Sequence, residues 1–199
     1  MRQPRRGPRF MFPALAVSLL GLALLAGCIT QSVHPLHSND TLVLDERLVG
    51  SWTDDDAVWT FAAGRSGGYR LEHRDGDGAI VAEAHLVRLG ETLFLDLQAR
   101  ELPAGASELY GALQLPLHTL FRVDELGETL ETSVLNPRWL EQYLTANPDA
   151  VAHTVIDDRV VFTAGTRELQ RFFRAHAADP DAWDQAIDMR RAVSDASAR

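Results

Sequence analysis

Between Val58 and Leu135 the chain falls into short runs in which apolar and polar residues alternate, each closed by a turn signal. Val58 to Phe61 puts Trp59 and Phe61 on one face. Tyr69 to Arg74 sets Tyr69, Leu71 and His73 against Arg70, Glu72 and Arg74, and Asp75-Gly76-Asp77-Gly78 then turns the chain. Ile80 to Arg88 alternates again, Leu89-Gly90-Glu91 turns, and Leu93, Leu95 and Leu97 continue the inward series. Leu117, Thr119, Phe121 and Val123 form a further strand, Leu126-Gly127-Glu128 turns, and Leu130 to Leu135 returns. A period of two puts alternate side chains on opposite faces of a sheet, and Gly and Asp tolerate the positive φ of tight hairpins. With further strands near 51 and 160, the series predicts a mainly β fold of about eight strands with C-terminal helices. The antiparallel meander either closes into a barrel or stays an open barrel or β-sandwich with helices.

Helical signals come late. Asn136 is an N-cap candidate with Pro137 at the first helical position. Trp139, Leu140, Tyr143 and Leu144 share a face, and Asn147-Pro148 ends the segment. Residues 153 to 163 read as one or two short strands. Thr166 is the expected cap of a second helix, whose Leu169, Phe172, Phe173 and His176 follow i, i+3, i+4, i+7. Asp179-Pro180 predicts a third helix with Trp183, Ala186 and Ile187 on one stripe.

The N-terminus has the parts of a secretory leader. Arg2, Arg5, Arg6 and Arg9 precede an uncharged apolar stretch from Phe10 to Ala26, and the small residues Ala26 and Gly27 precede Cys28. Leu25-Ala26-Gly27-Cys28 resembles the lipobox of bacterial lipoproteins. The resemblance implies cleavage before Cys28, a diacylglyceryl thioether on its sulfur and N-acylation, hence a covalent membrane anchor. In lipoproteins of this type Ile29, a residue other than Asp after the lipidated Cys, implies the outer membrane with the domain facing the periplasm. The expected organisation is a signal peptide over 1–27, a lipid-anchored tether over 28–43, one β-rich domain over 44–193 and a disordered tail over 194–199. Val33, Leu36, Leu42, Val43 and Leu44 are too apolar for a flexible linker, so the tether is expected to lie against the domain.

Leu48-Val49-Gly50-Ser51-Trp52 follows a short acidic turn and opens the first strand. It resembles the Gly-x-Trp signature of lipocalins and the wider calycin group, which implies a barrel whose floor the Trp crosses. Val134-Leu135-Asn136-Pro137-Arg138-Trp139-Leu140 and Glu168-Leu169-Gln170-Arg171-Phe172 are similar to elements of uncharacterised bacterial lipoproteins of lipocalin-like type. Thr53 and Asp54-Asp55-Asp56 depart from the lipocalin pattern, as does a helix inserted at 137 to 146.

Chemistry-bearing motifs are scarce. Cys28 is the single cysteine, so no disulfide or zinc-thiolate site is available. All 19 basic residues are Arg, which removes lysine Schiff-base chemistry. Loss of the leader's four arginines deepens a net charge that is already −9, so nucleic acid is a poor partner. His34 and His37 flank Pro35-Leu36 without an evident third ligand, and Asp75 and Asp77 fail the calcium-loop spacing, so no metal is expected. No Gly-x-Ser-x-Gly elbow is present, paired carboxylates are not fixed by spacing, and an enzyme is not expected. Nor is a cofactor.

Two functional readings remain. In the first, an anchored lipocalin-like barrel binds a small apolar or amphipathic ligand, with Trp59, Phe61, Tyr69, Leu71, His73 and Leu95 facing it. In the second, a filled barrel serves as an interaction or assembly lipoprotein of the cell envelope, with a partner surface around Phe173, Trp183 or Ile187. The long segment from Ala99 to Pro116 reads as either a lid or an externally packed loop.

Overall fold

The computed structural model describes residues 29–64, 67–100 and 115–192. Among these residues twelve strands form one sheet, and eight of them close on themselves. In chain order the strands are β1 (Gln31–Ser32), β2 (Leu42–Val43), β3 (Gly50–Thr53), β4 (Val58–Ala63), β5 (Tyr69–Asp75) and β6 (Gly78–Leu89). They continue with β7 (Thr92–Ala99), β8 (His118–Leu126), β9 (Thr129–Leu135), β10 (His153–Ile156), β11 (Arg159–Phe162) and β12 (Trp183–Arg191). Helices α1 (Pro137–Ala146) and α2 (Thr166–His176) follow β9 and β11. The barrel is the antiparallel meander β3 to β9, closed by β12, which pairs with β9 on one side and β3 on the other. Of the two forms that the strand series leaves open it is the closed antiparallel barrel, the lipocalin-like form that the Gly-x-Trp resemblance implies, with α1 and α2 on its outside.

The turns form as their residues require. Asp75 Oδ1 accepts from the amides of Asp77 and Gly78, and Asp54 Oδ1 from those of Asp56 and Ala57. Asp157 and Asp158, both at positive φ, turn β10 into β11. Asn136 caps α1 by accepting from the Arg138 and Trp139 amides. Gly165, one residue before the expected Thr166, takes the cap position of α2, and the Thr166 hydroxyl donates instead to the Pro35 carbonyl.

One expected helix is a strand. Residues 180–182 make a single 3-10 turn, after which Trp183–Arg191 becomes the last barrel strand. A bulge between Gln185 and Ile187 shifts the register, so Ala186 and Ile187 both pack toward the barrel interior while Trp183 faces outward. That irregularity breaks the period of two and gives a spacing that mimics a helical stripe. The strand near 160, expected within the barrel, lies in the β10–β11 hairpin outside it.

Strands β6, β7 and β8 are apolar on both faces because each faces a core. Inside the barrel, Ala84, Leu86, Leu95 and Phe121 pack with Trp52, Phe61 and Leu71. Outside, Val87, Leu89, Phe94 and Leu120 pack with Leu140 and Leu144 of α1 and Leu169, Phe172 and Phe173 of α2. Each such large side chain contributes about 1.5–3 kcal/mol through burial. Phe173 is fully buried and Trp183 nearly so. The expected partner surface around them is therefore the inner face of this second core.

The segment before the barrel is a strap across its outer face. β1 pairs with the start of β8, and β2 with the end of β6. The chain between them passes over β7, and Leu36 enters the outer core.

Candidate functional site

The strap, β6, β7 and β8 bring four polar side chains together. The β6–β7 register puts His85 opposite Asp96, and the β7–β8 register puts Gln98 opposite His118. All four share the outward parity of Val87, Phe94 and Leu120. The strap lays His37 over them. Asp96 is fully buried and accepts at both oxygens. Oδ2 receives the Leu36 amide at 2.8 Å, the His37 amide at 3.3 Å and His37 Nδ1 at 2.8 Å, and Oδ1 receives His118 Nδ1 at 2.6 Å. The His37 and His85 rings stack at 3.8 Å. Gly68 lies beneath His85, where a Cβ would come within 2.7 Å of the His85 Nε2 atom.

Burial pushes the Asp96 carboxyl up, but hydrogen bonds from His118 and His37 outweigh it. The group is held well below the usual carboxylate range. Burial pushes His85 down and the neighbouring His37 adds to it, against the pull of Asp96 and Glu83. His85 therefore favours its neutral form in the fold. Below the ordinary histidine range the unfolded chain takes up that proton more readily, so this stability is present above about pH 6.5 and lost as pH falls. Burial also lowers His176, with the same sign. The thermal midpoint is expected to fall from about pH 7.5 to about pH 5.5, and His85→Gln to flatten the slope. An unchanged slope in that variant would remove His85 as a cause.

The ligand atoms of His37, Asp96 and His118 lie within 4.8 Å of one another, a donor set that suits a divalent cation. The hydrogen bonds direct it otherwise. Gln98 Nε2 donates to the Pro116 carbonyl at 2.7 Å and contacts His118 Nε2 at 3.0 Å. An amide nitrogen cannot accept, so His118 Nε2 is the acceptor and Nδ1 carries the proton given to Asp96. Both His118 nitrogens are committed. The cluster is a hydrogen-bond hub that fastens the strap to the barrel. His34, which flanks Pro35-Leu36 with His37 in the sequence, is exposed and separate from it.

The six residues expected to face a ligand divide in two. Phe61, Tyr69, Leu71 and Leu95 are buried in the interior core, and the Tyr69 hydroxyl is held at the Asp45 backbone by the Asp45 amide at 2.6 Å. Trp59 and His73 are half-buried, opposite each other in the β4–β5 register, with rings edge to face at 5.5 Å. Phe121 lies 6.4 Å from the Trp59 ring, and His73 Nε2 is 3.7 Å from an Asp75 oxygen. Cys28 lies outside the described residues, as do residues 101–114 of the expected lid or loop.

The Asp96 hub was missed because its members come from separate segments. The signal available was the shared outward parity of His85, Asp96, Gln98 and His118 across three consecutive antiparallel strands. No family model, curated protein or solved structure matches this chain.

Proposed function

We propose that this is a lipid-anchored lipoprotein of the bacterial envelope, held through Cys28 in the outer membrane and facing the periplasm. Its lipocalin-like barrel acts as a non-enzymatic binding module for a small apolar or amphipathic molecule. The observation that carries the ligand reading is the half-buried Trp59, edge to face with His73 at 5.5 Å and 6.4 Å from Phe121, while Phe61, Leu71 and Leu95 are buried. An aromatic ring with His73 and Asp75 beside it suits an apolar body with a polar end.

Native mass spectrometry of protein taken gently from its host tests this. A reproducible added mass, lost on denaturation, supports the ligand reading. Trp59→Ala is then expected to weaken uptake of an apolar fluorescent probe roughly tenfold or more when measured well below the melting transition, which the loss of its contacts with Phe61, His73 and Phe121 lowers. A bare mass and no probe uptake favour the second reading, an interaction lipoprotein. The packed interior and the exposed Val155 and Ile156 on edge strand β10 support that alternative.

A further inference from the structure

We propose that the groove between Ile29 and Thr30, α1 and the β10–β11 hairpin seats an acyl chain carried by Cys28, an inference that rests on the lipid-anchor reading. The groove encloses about 340 Å³ and is lined by Ile29, Leu135, Leu140, Val155 and Val160. Ile29 follows Cys28 directly, so the attachment point is one peptide unit, about 3.8 Å between Cα atoms, from a wall of the groove. The chain has no slack there. Thr30 is buried and its carbonyl accepts from the Leu120 amide, and Gln31 and Ser32 pair with β8 on one side and β11 on the other.

The chemistry of the groove fits that occupant. Its floor is aliphatic, and its rim carries Arg138 and Arg159 with Glu141 and Asp158. The charges balance, which suits an uncharged ester- or amide-linked chain better than an anionic head group. Val155, more than half exposed, carries the apolar lining out to the edge of the sheet on β10. An acyl chain gains about 0.8 kcal/mol for each methylene taken out of water. Covalent attachment beside the groove holds the chain at high effective concentration. With more than one chain on Cys28, one lies in the groove while the others hold the bilayer, and the domain rests close against the membrane.

The test uses the full lipidated protein in the least detergent that keeps it soluble. The intact mass is measured first. An unmodified Cys28 would defeat the anchor reading itself, independently of the groove. With acyl groups present, a photoreactive diazirine side chain is placed at exposed position 155, and at exposed position 128 in the β8–β9 turn, at the other end of β9 from Leu135, as control. The expected result is an intramolecular adduct joining the peptide of residue 155 to the acyl-bearing N-terminal peptide, several-fold above the control position. Equal yields at the two positions overturn the proposal. So does a cross-link from 155 solely to a second copy or to another protein.

Discussion

Asp96→Ala is expected to lower the thermal midpoint by roughly 10 °C. The carboxylate is fully buried and accepts two backbone amides and two imidazole nitrogens. Alanine leaves these donors in a dry site next to the outer core. Removing one partner of a buried charged network costs about 3–5 kcal/mol, because what remains is desolvated and unpaired. For a chain of this size each kcal/mol is worth about 2–4 °C. Asp96→Asn keeps one acceptor oxygen and is expected to lose less. The effect has a location as well as a size. Hydrogen exchange of the Leu36 and His37 amides should accelerate in both variants, since their shared acceptor is gone or weakened. A loss below about 1 kcal/mol with unchanged exchange at those amides would mean that other contacts hold the strap.

The barrel was legible because most of its strands report their faces in sequence. Tyr69, Leu71 and His73 against Arg70, Glu72 and Arg74 fix both the strand and its inward side. The Asp-Gly and Leu-Gly-Glu turns fix antiparallel neighbours. Legibility failed where a residue serves two purposes. Residues 93 to 97 run Leu-Phe-Leu-Asp-Leu because one face fills the barrel and the other meets the helices. In such a run Asp96 reads as an outward, solvated residue until the strap that covers it is known. The strap itself is visible as apolar residues after Cys28, but its partners lie about sixty residues away in sequence. Pairing at that range leaves no local pattern. The last strand was hidden by its bulge, which replaces alternation with a helix-like spacing at Trp183, Ala186 and Ile187. His73, read as inward, lies at the edge because β5 reaches its turn two residues later.

Trp52→Ala is expected to be comparably severe, about 3–5 kcal/mol, for a different reason. Trp52 is fully buried in the interior core, and its Nε1 donates to the Leu48 carbonyl at 2.9 Å, tying the entry turn to the first barrel strand. The same ring supports barrel closure. Arg191, at the end of β12, lies over it with its guanidinium carbon 4.3 Å from the ring centre, and donates to the carbonyls of Val49 and Arg47. Gly50 makes room for that side chain. It sits at positive φ, and a Cβ there would come within 2.8 Å of Arg191 Nη1. The seam that this arrangement reinforces is short among the described residues, with Arg190 opposite Thr53, Arg191 opposite Trp52, and the Ala192 amide donating to the Ser51 carbonyl. Alanine at 52 therefore opens a cavity in the core and removes the surface on which Arg191 rests. Arg191→Ala alone is expected to cost about 0.5–2 kcal/mol, the range of a cation over an aromatic face. The two losses should not add, since the arginine contact is already absent once the indole is gone. Thermal melts of the two single variants and the double variant measure that coupling. Strict additivity would show that Trp52 stabilises the barrel by filling its interior and contributes nothing to the β3–β12 seam.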